Sequence, residues 1–579
     1  MLTRLIVKGF KKFDLIDFRL DQSVVLIGPN NSGKTSALQA LALWDLGLRK
    51  WREKSSKSKR ALRTGVAINR RDLVALPVPT ADLLWKDIHT RSTTKNNGKV
   101  SPQNIRIEID VHGVSNGVVW RAGFEFDYAN KESFYCRPLS NNSLLGEPER
   151  MVIPEIAYEA KVALLPPMSG LADREYVKQS GEISVLVGQG QTAQVFRNLC
   201  YRVCYPFVGS DKPAQSWINL TAMIRESFGV VLLPPTLASD KAEIYMRYQD
   251  PVSKVKYDIT SAGRGLQQTI LLYAHILANP NTILLLDEPD AHLEVLRQRQ
   301  VYDGLLRLVA DSSGQLIAAS HSEIILQEAV HRSTLVSFVG QPRVFADNLS
   351  SQIKKALTDI GWDQYYQAEQ VGWVLYLEDS TDLAILQAFA KCLDHPAQKI
   401  LEKPFVRYIG GNTPQKARDH FFGLQAVKTD FVGVALFDNL DKQLQPTDQL
   451  NELMWQRREI ENYFCFERIL FDWLKGQNPN DLFDPLADRQ AAMQQSISEV
   501  KAALSLDNKS FDSSSVKATD EVLDRVFRRY FDLRRLPITF RKAHYVQLVS
   551  FISPSDIDTE VKLKLDLIFA TAARAKPRQ

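Results

Sequence analysis

The chain has 579 residues, too many for one ordinary core, so two or more domains are expected. Apolar residues make up 45% and charged residues 24%, which excludes a disordered chain, and no apolar run is long enough to cross a bilayer. The formal net charge of +5 says nothing about partners, but cations cluster in 48–63 (LRKWREKSSKSKRALR) and 527–535 (FRRYFDLRR), patches that suit a phosphate backbone or, for the first, a solvated loop.

The N-terminal MLTRLIVKGF lacks a basic region followed by a long apolar stretch, so no export signal is expected. LTRLIVKGF and FDLIDFRL alternate apolar and polar residues around KKF and predict a hairpin. SVVLIG predicts a buried strand that feeds a glycine-rich loop and the helix KTSALQALALWDLGL. Residues 50–63 and 91–101 are polar and predict loops or insertions. IRIEIDVHG and VVWRAGFEFDY predict further antiparallel strands, and 160–250 mixes Pro- and Gly-rich turns with one helical stretch, TAQVFRNLCYRVCY. The helix GLQQTILLYAHILAN, the buried strand TILLLDEP, another helix and the strand QLIAASH follow. Near 340–370 the pattern loosens and a boundary is expected. A second α/β unit opens with WVLYLEDSTDLAILQAFAKCL and continues through FVGVALFDNLD; from about 465 the chain reads as helical, polar and basic. Cys136, Cys200, Cys204, Cys392 and Cys465 form an odd, scattered set without a CxxC pair. That fits a reducing cytoplasm and argues against a zinc site or a disulfide frame; Cys200 and Cys204 read as core residues on one helix face.

GPNNSGKT (Gly28 to Thr35) satisfies the GxxxxGK[ST] phosphate loop between a buried strand and a helix. Backbone N–H groups around Gly28, Asn30, Asn31 and Gly33, and the helix start at Ser36, are expected to wrap phosphate oxygens. Lys34 would reach the β- and γ-phosphates and Thr35 would ligate Mg²⁺. ILLLDEPDAHLE ends an apolar strand in Asp287, expected on Mg²⁺, and Glu288, expected to polarise the attacking water. AASHSE places His321 after another apolar strand, where an imidazole can contact the γ-phosphate.

TSAGRGLQQ, with Ser261 and Gly263, resembles the signature motif of ABC-type ATPases, and the order phosphate loop, signature, DEP and switch histidine matches that family over about 1–335. The resemblance implies that Ser261 and Gly263 touch the γ-phosphate bound by an opposite subunit, that Asp290 and His292 lie in a D-loop, and that ATP joins two heads. Arg264 and Gly265 depart from the commoner LSGGQ form. VGQGQT offers Gln189 as a Q-loop residue or as a turn glutamine. Long coiled-coil arms of the SMC type are not expected, because 50–260 shows strands, prolines and glycines in place of heptads. A transporter ATPase fits neither the N-terminal hairpin nor the appended C-terminal half.

In the second unit, VLYLEDSTDLAIL sets Glu378 and Asp382 four apart at a strand-to-helix transition, YIGGN supplies a Gly-Gly turn, and ALFDNLD brings Asp438 and Asp441. Carboxylates converging from adjacent strand tips repel unless hard cations neutralise them. This arrangement resembles a Toprim domain, which implies Mg²⁺-dependent phosphodiester chemistry with Glu378, Asp382, Asp438 and Asp441 as ligands. Asp379 stands where that family has glycine, and Leu440 stands where it has a second acid. RREIENYF adds Glu459 and Glu461 and resembles a segment of the OLD (overcoming lysogenisation defect) nucleases, which implies Glu461 as a further metal ligand; a surface acid pair is the plain alternative. The same family implies a late lysine, for which Lys542 in TFRKAHYVQLV is the candidate.

The expected architecture is therefore α/β. It comprises an ABC-type ATPase head over 1–340, a mixed sheet with an antiparallel subdomain and inserted segments at about 50–255. A linker over 341–369, a Toprim unit over 370–470 and a helical extension over 471–579 follow. The OLD resemblance implies a cytoplasmic, ATP-regulated DNA endonuclease using Mg²⁺ or Mn²⁺, acting in anti-phage defence. It would work as a homodimer or larger homo-oligomer, with defence-system proteins or RNA as possible partners and no membrane. Two alternatives stay open: an ATP-switched scaffold with an inactive Toprim unit, and a nuclease for tRNA or other RNA.

Overall fold

The computed structural model describes residues 1–577 except 56–64, 74–75, 77, 97–98, 142–148, 208–209, 211, 239, 331, 339–340, 346–359, 412, 427, 441–442 and 477–484. The chain divides into two compact units, Met1–Lys354 and Lys355–Gln579.

In the first unit the predicted N-terminal hairpin forms, with Leu2–Phe10 antiparallel to Phe13–Arg19. These strands begin a six-stranded antiparallel sheet that continues through Arg106–Ser115, Val118–Asn130, Ser133–Pro138 and Val66–Asn69. A second six-stranded sheet runs in the order Val162–Leu165, Ile283–Asp287, Gln315–Ser320, Ser23–Ile27, Thr334–Ser337, Arg343–Phe345; the first five strands are parallel and the last is antiparallel.

Alternation decides which face each side chain meets. Ile283, Leu285, Ile317 and Ala319 join the core shared with the helix Lys34–Ser55 and the antiparallel sheet. Leu284, Leu286, Leu316 and Ala318 face the helices Phe196–Cys204, Arg264–Ala278 and Val295–Asp311. Both faces are covered, so these strands read as unbroken apolar runs, and each fully buried leucine contributes about 1.5–3 kcal/mol. Trp44 anchors the central helix, stacked on Trp120 at 6.1 Å and donating from Nε1 to the Ala122 carbonyl at 2.7 Å. Cys200 and Cys204 are buried on one helix, and the five cysteines are unpaired.

Three expectations need correction. The helix after the phosphate loop runs on to Ser55, through part of the expected loop at 50–63, because Leu48 and Trp51 are buried on its inner face; the basic stretch beyond it falls outside the described residues. Residues 91–101 are not a loop but most of a hairpin, Arg91–Asn96 paired with Lys99–Asn104. The expected linker at 341–369 carries packed structure at both ends: Arg343–Phe345 is an edge strand, and the helix Trp362–Val371 buries Tyr365 and Ala368.

The second unit holds a four-stranded parallel sheet, ordered Val406–Tyr408, Trp373–Leu377, Val432–Phe437, Leu450–Met454. The strand order reverses direction between Trp373–Leu377 and Val432–Phe437, which opens a crevice at their C-terminal ends. The helices from Glu467 onward share one core with the sheet, Trp473, Phe527 and Leu565 packing in the same cluster as Leu375 and Val434. No described helix is long and apolar enough to cross a membrane.

Candidate functional site

In the first unit the strand Ser23–Ile27 delivers the chain into the loop 28–33 and the helix Lys34–Ser55. Gly33 has φ +106°, and a Cβ there would stand 2.7 Å from Phe13 Cε1, so glycine is required on both counts. Lys34 is 6% exposed and its Nζ donates to the carbonyls of Gly28 at 2.7 Å and Pro29 at 2.9 Å, curled inside the loop where phosphate oxygens would compete for it. Burial pulls the Lys34 ammonium below its ordinary value, against the fields of Glu288, Asp287 and Asp290. Asn31 has φ 62°, and its carbonyl accepts from Lys12 Nζ. Asn30 is exposed and Ser36 half-buried at the loop's rim.

Thr35 Oγ1 donates to Asp287 Oδ1 at 3.1 Å, so the loop and the end of Ile283–Asp287 meet where a cation would bridge them. Burial first, then Glu288 and Asp290, push the Asp287 carboxyl up to about 6, with Thr35 and Lys34 opposing. Glu288 takes φ 49°, and its N–H donates to the Ala319 carbonyl at 2.9 Å; its Oε1 lies 3.6 Å from His321 Nδ1. Asp290 is buried and accepts from Ser320 Oγ at 2.8 Å. Gln189 caps the helix Ser180–Gly188 and lines a cavity of about 100 Å³ together with Thr35 and Asp287. Four separated segments thus gather Lys34, Thr35, Gln189, Asp287, Glu288 and His321.

Ser261 and Gly263 are exposed at the start of the helix Arg264–Ala278, and neither lines the cavity beside Thr35 and Asp287. Gly265 packs on the loop after Asp287, since a Cβ there would be 3.2 Å from the His292 carbonyl. Sequence reasoning missed Lys12 and Phe13 as loop contacts. The KKF link held the signal: a hairpin tip just before a phosphate loop is placed to cover it.

In the second unit Glu378 follows the strand Trp373–Leu377 and Asp438 follows Val432–Phe437, one on each side of the crevice. Asp379 caps the helix Ser380–Cys392, accepting from Thr381 N at 2.7 Å. Asp382 reaches back, its Oδ2 accepting from Glu378 N at 3.0 Å, so this expected metal ligand also fixes the strand-to-helix turn. Gly410 and Gly411 take φ 54° and 72° with open space where Cβ atoms would point, and Gly410 N donates to the Glu378 carbonyl at 3.2 Å. RREIENYF becomes a tight turn with Ile460–Tyr463 as a short 3-10 helix; Glu459 and Glu461 are each 4% exposed, which excludes the surface-pair alternative.

The acids feel one another strongly. Burial, then Asp379, with Glu378 adding to it, raises the Asp382 carboxyl to about 7. Burial, then Asp382, Glu378 and Glu459, raises Asp438 to about 8, and Asp438 and Glu378 share a hydrogen bond. Glu461 is raised well above the carboxylate range by burial, then Glu459 and Asp382. Glu459 accepts from Thr519 N. Lys542 Nζ lies 3.1 Å from Asp379 Oδ2; burial lowers its ammonium, but the Asp379 hydrogen bond and the charges of Asp379, Glu461 and Asp382 outweigh this and lift it to about 12. Glu378, Asp382, Asp438, Glu461 and Lys542 therefore come together, and Asp441 lies outside the described residues. Among the described residues no three His, Cys, Asp or Glu side chains form a ready metal cage; Asp382, Asp438, Glu459 and Glu461 meet their crowding with raised proton affinities, and Asp382 and Glu459 also with backbone N–H donors.

Residues 231–327 match the family described as "AAA domain, putative AbiEii toxin, Type IV TA system". No curated protein matches the chain. Among solved structures, an SMC head domain from Thermotoga maritima is 15% identical, with 60% of this chain and 99% of that chain covered and a TM-score of 0.31. An SMC head bound to the C-terminal winged-helix domain of ScpA is 14% identical, covering 61% and 99%, at 0.35. An SMC head with an extended coiled coil bound to the C-terminal domain of ScpA, derived from Pyrococcus furiosus, is 13% identical, covering 62% and 99%, at 0.33. Scores this low carry no weight; the class rests on the family match and on the meeting of Thr35 with Asp287. The first unit carries an ATPase domain.

Proposed function

We propose that the chain is an ATP-regulated, divalent-metal-dependent DNA nuclease of the OLD kind, with an ABC-type head as its first unit and a Toprim-like nuclease as its second. The supporting observation is the gathering of Glu378, Asp382, Asp438, Glu459 and Glu461 at the reversal point of one parallel sheet, with Lys542 beside them. Acids clustered in a crevice, several of them with displaced proton affinities, point to a site of chemistry.

In the head, ATP binding would draw Lys34 off the Gly28 and Pro29 carbonyls onto the β- and γ-phosphates. Thr35 and Asp287 would hold Mg²⁺, Glu288 would take a proton from the attacking water, and His321 would orient Glu288 and meet the γ-phosphate. Ser261 and Gly263, exposed and not lining the cavity beside Thr35 and Asp287, would serve the nucleotide of a second copy, so the working form is a homodimer or a larger homo-oligomer.

In the second unit the donor set is carboxylate oxygen throughout, which suits a hard cation. Glu378 and Asp438, with Asp382, Glu461 and Asp441, would hold Mg²⁺ or Mn²⁺, which when bound supplies charge neutralisation and a polarised phosphodiester. Asp382 holds the turn that aims Glu378, and Lys542 sets a cation where charge develops on the phosphate oxygens. Duplex DNA is the substrate this reading favours, in a role against phage. The test is cleavage of supercoiled plasmid, linear DNA and tRNA with Mg²⁺ or Mn²⁺, with and without ATP: Glu378→Ala should abolish cutting, and a variant that cuts like the wild type sinks the reading.

A second reading draws on Leu440, which stands where an acid is expected, and on the lack of a preformed cage among the described residues. In it the second unit is a non-catalytic module and the head is an ATP switch on a partner effector. Calorimetric titration separates the two: no heat with Mg²⁺ or Mn²⁺ in Lys34→Ala protein, alongside intact wild-type ATPase activity, favours the scaffold.

A further inference from the structure

The helices Gln215–Phe228, Arg264–Ala278 and Val295–Asp311 enclose a cavity of about 340 Å³ that shares no lining residue with the nucleotide cavity. Nothing in the ATPase chemistry uses it. Tyr273 forms part of its wall and is 1% exposed. The Tyr273 hydroxyl ends over Gly304, where a Cβ would stand only 2.1 Å from it. That hydroxyl makes no hydrogen bond with any described residue. The neighbouring buried Tyr302 differs, since its hydroxyl is paired with Ser333 Oγ at 2.7 Å. A glycine inside a helix costs about 1 kcal/mol relative to alanine, and Gly304 is what gives the Tyr273 phenol room at the cavity wall.

The charged lining is Glu226, Asp303 and Asp311 against Arg307, an excess of two carboxylates. Asp303 is held from outside the cavity by Arg332. Gln300 is oriented by Arg297, which donates to its Oε1 at 2.7 Å. Ala222, Met223 and Leu308 supply apolar wall between the charges. A bare metal ion is too small for this space and gains nothing from methyl and thioether surface. An alkylammonium chain matches both features: its –NH3⁺ ends carry three donors each for carboxylates and a phenol oxygen, and its methylenes pack on Met223 and Leu308.

We propose that this cavity is a binding site for a linear aliphatic polyamine. One ammonium is taken by Glu226 and Asp303 with Tyr273 as a neutral acceptor, and the chain leads the next ammonium toward Asp311, while Arg307 repels a cation placed elsewhere. The site stands independently of the nuclease reading.

The test is isothermal titration of spermidine into the full nucleotide-free chain at physiological salt, with 1,4-butanediol as the uncharged probe. One-site binding is expected for spermidine and none for the diol. Tyr273→Phe, which removes one oxygen and leaves the packing, should weaken spermidine binding about 5-fold or more, and Glu226→Gln about 10-fold or more. Circular dichroism of both variants checks that they fold. Spermidine binding that is absent, or that either folded variant leaves unchanged, overturns the proposal.

Discussion

Replacing Asp438 with asparagine should make the metal-free second unit more stable, although Asp438 is the acid on which the proposed chemistry most depends. Its carboxyl is held at about 8 by burial and by Asp382, Glu378 and Glu459, against about 3.9 in an unfolded chain. The folded state therefore binds the proton more tightly. Its contribution to stability is fully present below pH 4 and is lost as pH rises from about 4 to about 8. Between pH 4 and pH 7 the loss is about 4 kcal/mol, at about 1.4 kcal/mol per pH unit. Asparagine stays neutral and can still donate to Glu378, so Asp438→Asn should gain about 2–4 kcal/mol at pH 7, the smaller figure applying where Glu378 and Asp382 absorb part of the relief. For a unit of this size that is a rise of roughly 5–15 °C in midpoint. Calorimetry of the full chain in chelator at pH 4.5 and pH 7.5 would measure it. The difference should be near zero at the lower pH, and Mn²⁺ should stabilise the wild type but not the variant. A variant no more stable at pH 7.5, or a gain that ignores pH, would refute the crowded-acid account.

Glu288→Gln should keep ATP binding and slow turnover by about 10²–10⁴, while Lys34→Ala should lose nucleotide binding itself; fluorescent-ATP binding alongside phosphate release distinguishes them. Arg418 forms a bidentate pair with Glu452 at 2.6 and 2.7 Å, and the Glu452 side chain is 0% exposed. Arg418→Ala would strand a buried carboxylate and should cost about 3–5 kcal/mol in urea unfolding. Gly113 lies opposite Trp120, and a Cβ there would stand 2.2 Å from Trp120 Cζ2. Gly113→Ala should cost about 1–3 kcal/mol and blue-shift or broaden tryptophan emission.

The parts of the fold that were legible are those where local pattern and burial agree. The phosphate loop, the strand ending in Asp287 and the strand ending in Asp438 are apolar runs closed by polar residues, and a strand buried on both faces has no other way to look. Leu450–Met454 escaped notice because LNELM has no strand signature of its own; pairing with Val432–Phe437 and the Arg418 clamp on Glu452 make it a strand. The hairpin at 91–104 was hidden for a similar reason: RSTTKN and KVSPQN carry no apolar alternation, and only their pairing with each other makes them strands. Glu378 and Asp438 stand out as acids at the ends of apolar strands, whereas Glu461 was singled out only by the resemblance of RREIENYF to the OLD segment. Two other features belong to the folded molecule alone: the capture of Lys542 by Asp379, and the support of Glu459 by Thr519, 60 residues downstream.

The strand Ser23–Ile27 is held between Gln315–Ser320 and Thr334–Ser337, and Gln315 also binds the Leu2 N–H and the Leu2 and Asp21 carbonyls at 2.7–2.8 Å. Both strands that fix the root of the nucleotide loop are made about 300 residues after it. At about 5–20 residues per second, a ribosome leaves that loop without its neighbours for tens of seconds or about a minute. Until those strands are made, a nascent chain has the phosphate-binding sequence and no seat for ATP. Nucleotide capture is thus timed to the emergence of the first unit as a whole, and the long-range pairing makes its closure a slow step, exposed to chaperones.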